Sequence, residues 1–105
     1  RYGGYHSKNV VATLQGSDEE SIGEYILCGH YDTFRTSPGA DDDGSGAAAV
    51  LAIASVLRNY AFNHTIRFIA FSGEEVGTYG SFTYARDAAF RDDNIIAVLN
   101  MDMIG

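Results

Sequence analysis

The sequence predicts an α/β sandwich built on a mixed, mainly parallel sheet, and three observations point to it. From residue 24 onward, β-rich runs alternate with helical runs, which implies right-handed crossovers between parallel strands. The later strand runs are apolar on both faces, as strands covered by helices on each side must be. One further β-rich run comes before this alternation and adds an antiparallel edge.

The elements follow in order. "NVVATLQG" (residues 9–16) and "EYILCGHYD" (residues 24–32) are β-rich and separated by the polar, acidic "SDEESIG", which reads as a leading antiparallel hairpin. "TFRTSPGADDDGSG" is turn material. A helix is predicted from Ser45, as N-cap, to about Tyr60. Val50, Ile53, Ala54 and Leu57 form its buried stripe, and Leu51 and Val56 widen it. "HTIRFIAFS" (residues 64–72) is a third strand. "GTYGSFTYARDAAF" is a second helix with Tyr79, Phe82, Ala85 and Ala89 toward one face. "NIIAVLNMDMIG" (residues 94–105) contains the fourth strand.

Bulk properties exclude several function classes. The 105 residues suffice for one small domain, and 46% hydrophobic content is ordinary for a folded chain. Fourteen acids against seven Lys and Arg give a formal charge of −7, which disfavours nucleic acid and anionic membranes as partners. No apolar run reaches the roughly 18 residues of a membrane span. The single Cys28 rules out an internal disulfide and reads as a small buried strand residue.

The acids are unevenly placed. Asp32, Asp41, Asp42, Asp43, Glu74, Glu75 and Asp102 make up half of them and sit at strand ends or turns. His30 and Asp32, Glu74 and Glu75, and Asp102 each fall at the carboxyl end of a predicted strand, and Asp42 falls just before a helix. Open α/β sheets bind ligands at that edge, so these groups are expected on one rim. Taken singly, "DDDG" is a solvated turn, "GHYD" a structural histidine and "EE" a helix start. "DDDG" also lacks the alternating acids of a calcium loop. Together they form a nitrogen and oxygen donor set suited to Zn, Mn or Co, since buried carboxylates at this density need a counter-charge. Apart from Arg35 nearby, no Lys or Arg lies within these stretches.

"CGHYDT", "PGADDDGSGAAAVL", "FIAFSGEEVGTYGS" and "LNMDMIG" resemble the four ligand motifs of the di-zinc aminopeptidases, the family twenty-eight metallopeptidases. The resemblance covers nearly the whole chain. It implies a three-layer α/β/α sandwich of the zinc-exopeptidase type and a peptide substrate hydrolysed at its N-terminus by a metal-bridged water. It implies two zinc ions, with His30, Asp42 and Asp102 on the first and Asp42 and Glu75 on the second. Asp32 would orient His30, and Glu74 would be the general base. Gly73 and Gly77 flank the glutamate pair and permit a tight backbone path.

Residues 1–105 are thus expected to form one partial metallopeptidase domain whose C-terminal portion is missing, because the sequence opens without Met and ends just past a strand. The family's second His ligand lies downstream of the last motif, and His6 and His64 lie outside every motif, His64 reading as a surface residue. The second metal site is therefore expected to be incomplete and the isolated piece inactive. A carboxypeptidase, a dipeptidase, a glutaminyl cyclase and a receptor-like homologue without catalysis stay open as alternatives. A secreted or extracytoplasmic location is expected, and "NHT" (residues 63–65) matches a glycosylation acceptor, a pattern frequent by chance.

Overall fold

The computed structural model describes Gly4 and residues 6–105. Its strands are β1 (Val10–Leu14), β2 (Gly23–His30), β3 (Thr65–Phe71) and β4 (Asn94–Asn100), and its α-helices are α1 (Gly46–Leu57) and α2 (Tyr79–Arg91). They form one four-stranded sheet of order β1-β3-β2-β4, with β2 parallel to both β3 and β4. Among the described residues, no helix is long and apolar enough to cross a membrane.

Alternation along the strands assigns each helix its own face of the sheet. Ile66 and Phe68 of β3 pack with Val50 of α1 and with Met101, and Leu27 joins them from β2. Ile26, Cys28 and Ile69 point to the other face, where Tyr84 of α2 closes over them. The result is the expected three-layer arrangement, with Ile69 fully buried at its centre.

Several details differ from the sequence reading. First, β1 and β2 do not form a hairpin. β1 runs antiparallel to β3, with Ala12 opposite Phe68. β2 already pairs with β3 and β4 on its two sides, so β1 cannot lie beside it and takes the outer edge of β3 instead. Two backbone hydrogens anchor its end there: Gly16 N–H donates to Thr65 Oγ1 at 3.0 Å and Ser17 N–H to the Phe62 carbonyl at 2.8 Å.

Second, α2 turns a different face to the sheet. Gly80, Tyr84 and Ala88, four residues apart, face inward, whereas Ala85, Ala89 and Phe82 (67% exposed) face out. Gly80 sets this rotation, because a Cβ there would collide with the Ser72 carbonyl oxygen. Third, Leu51 and Val56 lie off the buried stripe of α1 and are exposed. Fourth, Ser45 occupies the cap position of α1, but its hydroxyl donates backward to the Asp41 carbonyl at 2.7 Å. The Gly46 N–H is instead taken by Asp43 Oδ1 at 3.1 Å.

At the amino end of the sheet, Asn63 is exposed in the connection from α1 to β3. His64 is half-buried there rather than a surface residue, hydrogen-bonded to Ser21 Oγ and edge-on to Tyr25.

Candidate metal centre

The three parallel strands end on the same edge of the sheet, and each delivers part of the predicted set. His30 is the last residue of β2, Glu74 and Glu75 follow β3, and Asp102 follows β4. Asp42 comes from the irregular turn Ala40–Ser45 that leads into α1. Gly73 and Gly77 have φ of 68° and 120°, conformations that other residues adopt only with strain, so the glutamates sit on a bend that glycine permits.

His30 is the hub. It is 4% exposed, and its Nδ1 lies 3.0 Å from the Asp32 main-chain carbonyl oxygen. A carbonyl can only accept, so Nδ1 carries the proton and Nε2 is the nitrogen left for other work. Nε2 lies 3.0 Å from Asp42 Oδ1, 3.7 Å from Glu74 Oε2 and 3.7 Å from Asp102 Oδ1. Burial alone would lower the His30 pKa, but the charges of Glu74, Asp43 and Asp32 outweigh it and hold the imidazole above its usual value.

Asp32 does more than the sequence suggested. Its carboxylate lies 3.3 Å from His30 Nδ1, farther than its own main-chain oxygen. The two carboxylate oxygens accept the backbone N–H groups of Glu74 (3.1 Å) and Glu75 (3.0 Å). One residue thus ties the end of β2 to the bend after β3, a link that no spacing in the sequence announces.

The donor atoms fall into two groups that share His30. His30, Asp42 and Asp102 offer atoms within 4.8 Å of one another, and so do His30, Glu74 and Glu75. Glu75 Oε1 is buried with no hydrogen-bond partner. Burial, then the charges of Asp42 and Glu74, push the Glu75 carboxyl above its ordinary range. His30 is the one cation-capable group in ion-pair range of these acids among the described residues. An imidazole nitrogen facing several carboxylates, with a further carboxylate oxygen unpartnered, fits a divalent cation with nitrogen and oxygen ligands.

Sequence reasoning passed over Asp43 when it selected Asp42. Asp43 is 1% exposed, and its carboxylate accepts backbone N–H groups around it. Asp41 lies outside, its Oδ1 accepting the Gly105 N–H at 2.8 Å.

Comparison with known proteins adds an independent line. A probable zinc metalloprotease of Pyrenophora tritici-repentis is 38% identical over 104 residues, which cover 91% of this chain and 24% of that protein. Leucine aminopeptidase 2 of Trichophyton rubrum is 34% identical over 98 residues, covering 92% of this chain and 19% of the relative. Among solved structures, the zinc aminopeptidase BSAP of Bacillus subtilis superposes with a TM-score of 0.84 at 33% identity, over 92% of this chain and 24% of that one. The LapA aminopeptidase of Legionella pneumophila gives 0.86 at 30% identity, over 100% and 29%. The chain thus spans about a quarter of the length of the relatives it matches. The sequence pattern of Peptidase family M28 runs through residues 9–105, past every strand end that carries a candidate ligand, and the chain belongs to that family.

Proposed function

We propose that this chain is the metal-holding, proton-moving part of a zinc-dependent exopeptidase, an aminopeptidase acting on peptide N-termini. The observation that carries the reading is the state of His30. Its Nδ1 is committed to the Asp32 carbonyl, and its Nε2 faces carboxylates brought from separate segments of the chain. The zinc aminopeptidases that share the fold support the choice of metal and reaction.

His30, Asp42 and Asp102 would hold one zinc ion, and Asp42 with Glu75 would hold a second. Bound zinc supplies Lewis-acid polarisation of a scissile carbonyl and makes a nearby water easier to deprotonate. The chain's own residues supply the rest. Asp32 fixes the imidazole tautomer and, through two backbone N–H groups, the direction of the glutamate bend. Glu74 takes a proton from the attacking water and delivers it to the leaving amine, a task that needs a carboxylate beside the metal rather than one spent on it. Adjacent residues on a bend can divide these duties, with Glu75 as ligand and Glu74 as base.

The test combines metal analysis with hydrolysis of an aminoacyl anilide by the full-length protein rather than by these 105 residues alone. Glu74→Gln should retain zinc and lose at least about a hundredfold in rate, the usual scale for a general base. A Glu74→Gln variant with near-normal rate would overturn the assignment of the base. A protein that binds no transition metal would overturn the whole reading.

A further inference from the structure

We infer that Asp43 is a positioning residue that sets the geometry of the His30, Asp42 and Asp102 group; the inference rests on the metal reading above. Its carboxylate is buried, and three backbone N–H groups converge on it. Oδ2 accepts from His30 at 3.0 Å, and Oδ1 accepts from Gly46 and from Met103, each at 3.1 Å. Each donor marks a segment that carries one member of the group. His30 is itself a member, Gly46 opens the helix behind the turn that bears Asp42, and Met103 follows Asp102 in the chain. Asp43 is also joined directly to Asp42, so one side chain fixes all three segments against one another.

Two glycines make room for this. A Cβ at Gly29 would stand 3.0 Å from Asp43 Oδ2, and one at Gly46 would collide with both carboxylate oxygens and with the Met101 carbonyl. Helix α1, the end of β2 and the chain beyond β4 therefore close around a carboxylate with no space beside it. A carboxylate suits the position because both its oxygens only accept. An asparagine would aim its NH₂ at one or two backbone N–H groups. The segments would then part by the few tenths of an ångström that distinguish a tight metal site from a loose one.

The experiment measures zinc affinity in the full chain by competition with a chromogenic chelator, alongside the Tm of the metal-free protein. Asp43→Asn should weaken zinc binding by about 10- to 100-fold, the range for residues that orient ligands. A core variant at Ile66, buried in the cluster under α1, is chosen to give the same loss of Tm and should keep zinc affinity within about twofold. If Asp43→Asn does not fold, Asp43→Glu keeps the charge, displaces it by one methylene, and should show the same selective loss. Wild-type affinity in the Asp43 variant that folds, or an equal loss in the Ile66 control, overturns the inference and leaves the metal reading intact. Absence of zinc binding in the unsubstituted protein overturns both.

Discussion

Strand β2 carries a buried ionisable group at each end, and the two ends handle it differently. Glu24 and His30 lie on the same face of the strand, six positions apart, and are 8% and 4% exposed. At the amino end, Glu24 Oε2 accepts a hydrogen bond from Arg67 Nε at 2.8 Å, so one acid meets one guanidinium inside the chain. At the carboxyl end, Asp32, Asp42, Glu74 and Asp102 gather within ion-pair range of a single imidazole. A buried carboxylate oxygen without a partner occurs at both ends, on Glu24 and on Glu75, so an orphaned oxygen alone does not mark a site. What marks it is the ratio of acids to cations. A structural ion pair closes its own account of charge, whereas the rim is left with a deficit that only something added can fill.

The largest effect should come from breaking the balanced end. Glu24→Gln leaves the Arg67 guanidinium without its carboxylate beside the core. Removing one partner of a buried pair is strongly destabilising, and the partial exposure of Arg67 tempers this to about 2–3 kcal/mol. Denaturant unfolding of the metal-free protein measures it. A loss well below 1 kcal/mol would mean that the amino end is solvated like a surface pair, and the contrast between the ends would collapse.

The same kind of substitution at the rim should act with the opposite sign. The Glu75 carboxyl is pushed up by burial and by Asp42 and Glu74, so the folded state disfavours its charge. For an acid whose folded pKa exceeds its unfolded one, the folded state holds the proton more tightly. Its contribution is full below the ordinary glutamate value of about 4.3 and is lost as pH rises. Glu75→Gln should therefore raise the Tm of the metal-free protein at pH 7, by less than Glu24→Gln lowers it. The gain should vanish below about pH 4, where both side chains are neutral. Zinc binding should weaken in the same variant, the trade between stability and function expected of a site. A Tm lower than wild type at pH 7 would show that Glu75 is satisfied without a metal.

The two ends also differ in how far they were legible in the sequence. Element types and the gathering of His30, Glu74, Glu75 and Asp102 followed from periodicity and from the rule that parallel strands end together. The motifs then singled out Asp42. The pairing of β1 with β3 did not follow, because both sides of β2 are claimed by strands that come later in the chain. The rotation of α2 was hidden in Gly80, whose role is an absent Cβ rather than an apolar side chain. The backbone contacts of Asp32 and the role of Asp43 escaped for a related reason. Both side chains act on backbone N–H groups, whose directions depend on how three segments meet, and no spacing of side chains encodes that.

The smallest effect belongs to the middle of the same strand, and it tests whether the interval between the ends is dry. Cys28 lies between Glu24 and His30 on their shared face and is 2% exposed. Burial, and then the charge of Asp43, raise its thiol to about 11. Among the described residues no cation is paired with it as Arg67 is with Glu24, so the strand's middle keeps this group neutral. The thiolate is the nucleophile, so the native protein at pH 8 should resist iodoacetamide and should be alkylated promptly once unfolded. The sign with pH follows from the raised value: the contribution to stability is complete below the unfolded thiol's range and is lost as pH climbs toward 11. Mass spectrometry of native and denatured samples reads the result. Alkylation of the native protein at the rate of a free thiol would mean that solvent reaches the middle of β2, and the two ends could no longer be treated as separate electrostatic problems.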